Sequence, residues 1–174
     1  KTLAEYPAVK AVSVSYPGPV SRGTLSDHGD FPELYNWNMV EAVKETFGLV
    51  TAIENDVNMA ALGTFHETAM CEDATFAYLA LPAGSCPGVG IVNNGRILRG
   101  VHGFAGEVIF FPYHISIAQQ KKRFRTQKGV VTQLSDVLIA MIALIDPGKI
   151  VVSGSGVPAG AHSAIRKGPG TPGN

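Results

Sequence analysis

Leu49 to Gly63 reads LVTAIENDVNMAALG, and the rhythm of that stretch changes at Asn55-Asp56. Leu49 to Ile53 is a short, β-branched apolar run of strand character. From Asp56 to Met70 the pattern predicts a helix, in which the small residues Ala60, Ala61 and Gly63 permit close packing. The polar pair therefore stands where a strand hands over to a helix. In such a unit, side chains and unsatisfied backbone N–H groups of the helix N-terminus face one crevice at the carboxyl edge of a sheet.

Working outward, the same alternation continues. Val9, Val12 and Val14 belong to a strand that stops at Tyr16-Pro17-Gly18-Pro19, where two prolines remove backbone donors and fix φ. Asn38, followed three residues later by Glu41, begins a capped amphipathic helix with Met39, Val43 and Phe47 on one stripe and Gly48 at its end. Downstream, Phe76 to Leu81 and Val89 to Val92 read as strands separated by a break from Pro82 to Gly88. Asn94-Gly95 before Arg96 to Leu98 is a strong hairpin signal. Leu134 to Ile145 is apolar on nearly every face, which predicts a buried helix; Asp146-Pro147-Gly148 ends it before a buried strand, Ile150 to Val152. Strands and helices alternate throughout, so the fold class is α/β.

Composition excludes several classes. With 174 residues, 45% of them hydrophobic and 16% charged, the chain can bury one substantial core or two small lobes. Fourteen basic residues balance fourteen acidic ones, so no net field favours nucleic acid or a charged membrane. Cys71 and Cys86 are too few for a disulfide framework and too far apart for a C-x-x-C pair, which suits a reducing, cytoplasmic setting. The longest apolar run, Val137 to Ile145, is about half of the roughly 20 residues that a bilayer span needs, and no export signal is expected.

Among residues that carry chemistry, Asp56 comes first: a carboxylate at a crevice can take a proton from an attacking hydroxyl, although aspartate also caps helices for structural reasons alone. Glu107, leaving the small-residue turn Gly103-Phe104-Ala105-Gly106, is suited to accepting hydrogen bonds from ligand hydroxyls, or is simply an exposed turn carboxylate. Gly88-x-Gly90 lacks the third glycine of a dinucleotide fingerprint, and no G-x-x-x-x-G-K-[ST] run occurs. His66-Glu67 fails as a zinc-protease motif because Met70 stands where the second histidine belongs. Lys121, Lys122, Arg123 and Arg125 form a basic cluster with one aromatic, Phe124, and read as a solvated helix face.

Taken together, Val12 to Val20 (VSVSYPGPV), Ala52 to Gly63 (AIENDVNMAALG), Gly88 to Gly106 (GVGIVNNGRILRGVHGFAG, with Glu107 next) and Ile145 to Gly154 (IDPGKIVVSG) resemble the ROK family of bacterial sugar kinases and sugar-responsive repressors. The resemblance implies an actin-like, ribonuclease-H-like fold of two lobes, here truncated, and a cytoplasmic homodimer. Residues 1–54 would be the remainder of the first, sugar-side lobe, 55–156 the second lobe, and 157–174 a flexible tail. It implies sugar binding by Asn55, Asp56 and Glu107, with Asp56 as the base that deprotonates the hydroxyl attacking the γ-phosphoryl group of ATP. Gly88 and Gly90 would approach the nucleotide phosphates, Gly154 and Gly156 would lie near the adenosine, and Mg²⁺ would bridge the phosphates.

The departures from the family pattern carry expectations too. No D-x-G-G-T-like phosphate loop precedes Pro17, so the chain is expected to begin inside the first lobe with half of an ATP site. Ile109 and Phe110 stand where many members have Gly and a zinc-binding, sugar-contacting histidine, and no cysteine-rich zinc motif follows, so zinc is not expected. Ser85-Cys86-Pro87-Gly88 replaces the family's Gly-Thr-Gly phosphate turn. The implied activity is ATP-dependent phosphorylation of a hexose or N-acylhexosamine. The alternative is the effector domain of a sugar-sensing transcriptional regulator, which would meet DNA only through a helix-turn-helix upstream of this chain.

Overall fold

The first layer is local. Ala11–Tyr16 (β1) and Val50–Asn55 (β4) pair in parallel, in a register that sets Tyr16 beside Asn55, in a computed structural model that describes residue 6, residues 8–26 and residues 30–157. Between them the chain makes a tight hairpin, Val20–Ser21 (β2) with Thr24–Leu25 (β3), a 3-10 turn at Pro32–Leu34, and helix α1, Met39–Phe47. Helix α1 begins and ends as its residues predict: the Asn38 side chain accepts from the Glu41 N–H at 3.1 Å, and Gly48 closes it in the left-handed conformation at φ 65°. Tyr16, Val20 and Leu25 are buried here against Leu34, Met39 and Ile53.

After β4 the chain runs directly into helix α2, Asp56–Glu67, and then into a four-stranded sheet. Thr75–Ala80 (β5) is flanked by Gly88–Asn93 (β6), antiparallel, and by Lys149–Ser153 (β8), parallel; Arg96–Ile97 (β7) adds to β6. Asn94 at φ 51° and Gly95 at φ 68° turn β6 into β7, the conformation that an Asn-Gly hairpin uses. Two further helices follow, Ile117–Arg123 (α3), opened by a capping box between Ser116 and Gln119, and Gln127–Ile145 (α4).

Alternation along β5 builds the core. Phe76 faces Ala61 and Phe65 of α2, whereas Ala77 and Leu79 face Val130, Leu134, Val137, Leu138 and Met141 of α4. The sheet is thus covered by α2 on one face and α4 on the other. Each fully buried aliphatic side chain, such as Leu79 or Leu134, contributes about 1.5–3 kcal/mol.

Three expectations need correction. Helix α4 starts at Gln127, not Leu134, and is not buried all round: Ile139, Ile142 and Leu144 are 52%, 50% and 75% exposed. A single helix presents one stripe to a sheet, and its apolar residues on the opposite face stay outward. By length and composition α4 could cross a bilayer, yet its stripe here is packed as core. The strand expected to be buried, β8, is only partly so, because it is the edge of the sheet as described. Helix α2 stops at Glu67 rather than Met70, and Gly63 in it faces open space rather than a close neighbour. The tail proposed at 157–174 lies outside the described residues apart from Val157.

Candidate functional site

Asn55 is the hinge of the site. Its side-chain oxygen accepts from the N–H groups of Val57 at 3.0 Å and Asn58 at 3.1 Å, so Asn55, and not Asp56, is the N-cap of α2. Its amide donates to the Gly18 carbonyl at 3.3 Å, pinning the end of β4 to the Pro17-Gly18-Pro19 turn. With the cap supplied by its neighbour, Asp56 is the first helical residue, exposed and lining a cleft of about 730 Å³. One of its oxygens accepts from Val57 N–H at 2.8 Å, and the positive end of the helix dipole favours a negative charge there.

Glu54, Asn58 and Arg99 support this arrangement, and none was singled out from the sequence. Glu54 accepts from the backbone N–H of Asn55 and from the side chain of buried Asn58, both at 3.0 Å. Its second oxygen pairs with Arg99 Nε at 2.6 Å. Arg99 accepts in turn, through its carbonyl, from the N–H of Ala105. One carboxylate thereby ties the β4–α2 junction to the loop that carries Glu107. The available signal was a charged residue near the end of a mostly apolar strand.

Gly106 presses that loop onto the sheet. At φ 94° it approaches β6 so closely that a Cβ would fall 1.9 Å from the Val89 carbonyl oxygen, while its own carbonyl accepts from Val89 N–H at 3.2 Å. Glu107 follows, half-buried, lining the same cleft as Asp56. Burial raises its carboxyl above the usual range, and the charge of Asp56 raises it further. Further along, Gln120 is buried and donates to the Ile109 carbonyl at 2.9 Å while accepting from Gln133 of α4, which fixes α3 against the loop after Glu107. Ile109 and Phe110, the residues in place of the family's Gly and histidine, line the cleft, and the Phe110 ring lies 5.5 Å from that of Phe104.

The remaining sequence candidates separate into two groups. Gly88 lines the cleft beside Ser85, Cys86 and Pro87. Gly90 does not: it is buried beneath α2, where a Cβ would come within 2.6 Å of both the Val57 carbonyl and the Ala61 side chain. Its lack of a side chain lets α2 pack closely on the sheet. Gly154 and Gly156 also lie off the cleft lining and close the chain against Leu81 and Pro82, with Gly156 N–H donating to the Leu81 carbonyl at 2.9 Å. Lys121, read from sequence as part of a solvated helix face, borders the cleft. In the break from Pro82 to Gly88, Ser85 N–H is committed to the Pro82 carbonyl and Ala83 N–H to Ser155 Oγ, and Pro87 has no N–H to give.

The model of the ROK family matches residues 1–117 of this chain. The β-glucoside kinase of Listeria monocytogenes is 32% identical over 141 residues, covering 79% of this chain and 45% of that protein. The Escherichia coli DNA-binding transcriptional dual regulator NagC is 32% identical over 101 residues, covering 56% of this chain and 24% of the regulator. The chain thus spans less than half the length of these curated relatives. Among solved structures, the ROK hexokinase from Thermus thermophilus superposes with a TM-score of 0.65 at 20% identity, covering 90% of this chain and 67% of that one, a likeness of fold.

Proposed function

The chain belongs to the ROK family and has the actin-like fold of its sugar kinases, and on that premise we propose that the cleft binds a hexose or N-acylhexosamine whose hydroxyl is phosphorylated with Asp56 as base. The observation that carries this reading is the convergence of Asp56 and Glu107. The two acids come from separate motifs and line one cleft, near enough for the charge of one to shift the other. Two acceptors at the mouth of a helix suit a polyhydroxylated, uncharged ligand, because each carboxylate can take several O–H donors. The relatives' names point to ligands of the same class: a β-glucoside in the name of a kinase and N-acetylglucosamine in that of a repressor.

In this reading each residue has a separate task. Glu107 accepts from ring hydroxyls and fixes the orientation of the sugar. Asn55 has one amide hydrogen left after the bond to Gly18 and can donate it to a ring oxygen. Asp56 accepts the proton of the attacking hydroxyl as its oxygen bonds to phosphorus, while the bond from phosphorus to the leaving oxygen breaks. MgATP supplies the phosphoryl group when bound, and the edge of the cleft from Ser85 to Gly88, with Lys121, is where this chain would meet it. The test is Asp56→Asn in the intact protein. Sugar phosphorylation should fall by about 10²–10⁴-fold while the sugar still raises the melting temperature; phosphorylation at the wild-type rate would refute the assignment.

A second reading, a sugar-responsive regulator domain without phosphotransfer, is favoured by one observation: the Pro82–Gly88 break has few backbone donors left for phosphate. A thermal-shift comparison separates the two, since a ligand that binds the native state raises the melting temperature. A kinase responds to sugar and to MgATP, whereas this regulator responds to sugar alone.

A further inference from the structure

We propose that Lys121 is the phosphate-binding cation of the cleft, holding a phosphoryl group beside the Ser85-Cys86-Pro87-Gly88 turn, which deepens the sugar-phosphorylating reading above and rests on it. Among the described residues that line the cleft, Asp30, Asp56 and Glu107 are acidic, and Lys121 is the only Lys, Arg or His. A phosphate entering this space is repelled by the acids and needs a compensating positive charge.

The turn itself supplies only part of that compensation. Pro82 and Pro87 have no N–H, and those of Ala83 and Ser85 are committed to Ser155 Oγ and to the Pro82 carbonyl, which leaves Gly84 and Cys86 as the donors ahead of strand β6. A nest of backbone amides, the usual cradle for phosphate, is therefore incomplete here. Lys121 stands beside it: its charge draws down the thiol of Cys86, which burial otherwise raises. Asp56 and Glu107 lie close enough together for the charge of the first to raise the carboxyl of the second. The cleft thus offers hydroxyl acceptors at Asp56 and Glu107 and a cation, Lys121, near Cys86.

The orientation of Lys121 is built in. The preceding residue, Gln120, is 2% exposed and locked by hydrogen bonds to the Ile109 carbonyl and to Gln133, which sets the rotation of α3 and turns Lys121 to the cleft edge. Lys122 and Arg123 of the same helix do not line the cleft. Lys121 makes no salt bridge among the described residues. The phosphate has two possible carriers, a nucleoside triphosphate or a phosphorylated sugar, and the same cation serves either.

The experiment titrates the intact protein, its Lys121→Gln variant and its Lys121→Arg variant with the magnesium complex of a non-hydrolysable ATP analogue, with glucose 6-phosphate and with glucose. The phosphate-bearing probe that binds wild type should bind Lys121→Gln about 10-fold more weakly and Lys121→Arg within about threefold of wild type, with glucose unchanged. Loss for the ATP analogue supports both the proposal and the kinase reading. Loss for glucose 6-phosphate alone, with no response to the ATP analogue in wild type, supports Lys121 as the phosphate cation and refutes the kinase reading. Wild-type affinity of Lys121→Gln for every phosphate-bearing probe, equal loss for glucose, or no binding of either phosphate-bearing probe to wild type overturns the proposal.

Discussion

Burial holds the Glu107 carboxyl above its ordinary value, with the charge of Asp56 adding to the effect. A carboxyl raised in the fold keeps its proton to higher pH than the same group in the unfolded chain. Between those two values the folded protein binds more protons, so stability falls as pH rises across that window. Glu107→Gln should remove this slope and give a variant more stable than wild type at neutral pH; thermal unfolding at a series of pH values through the carboxylate range and up to neutrality checks it. Asn55 has the opposite sign. Asn55→Ala deletes the cap of α2 and the link to Gly18, and should cost about 1–2 kcal/mol, read by denaturant titration. Asp56 and Glu107 stood out in the sequence because each is an acid at a break in a regular pattern. Glu54 and Arg99 did not, since their partners lie 45 positions apart and only the folded chain brings them together. Lys121 was hidden by its neighbours, for a run of four cations within five residues gives no hint which one borders the cleft.

At the scale of elements, α2 is positioned by what lies beneath it. Gly90→Ala places a methyl against the Val57 carbonyl and Ala61, and should destabilise by about 1–3 kcal/mol while displacing the helix end that carries Asp56. Its sugar affinity should fall together with its stability. Gly63→Ala on the same helix meets nothing within 4 Å and should instead stabilise by about 0.5–1 kcal/mol. The pair of melting curves tests whether Gly90 is a packing residue. Elements whose signals are local were legible: the Asn38 cap, the Gly48 terminus and the Asn94-Gly95 hairpin depend on residues a few positions apart. The outward face of α4 and the edge position of β8 were not, because an apolar sequence says that burial is favourable without saying which neighbours are present to provide it. The small β2–β3 hairpin also escaped notice, its strands being two residues each.

For the whole molecule, the cleft lies at the seam between the β1–β4 pair and the four-stranded sheet. Its walls come from the Pro17-Gly18-Pro19 turn, the start of α2, the Pro82–Gly88 break and the loop ending at Glu107. The first, second and fourth of these coincide with the segments that carry the family resemblance, which is why the site could be approached from sequence at all. That Lys121 borders the same cleft as Asp56 and Glu107 required the fold. The most direct test is a crystal structure of the intact protein with a bound hexose. A ring hydroxyl within hydrogen-bonding distance of the Asp56 carboxylate, with further hydroxyls on Glu107, is the predicted result. A hexose seated away from both acids, or one with no hydroxyl facing Asp56, would contradict it.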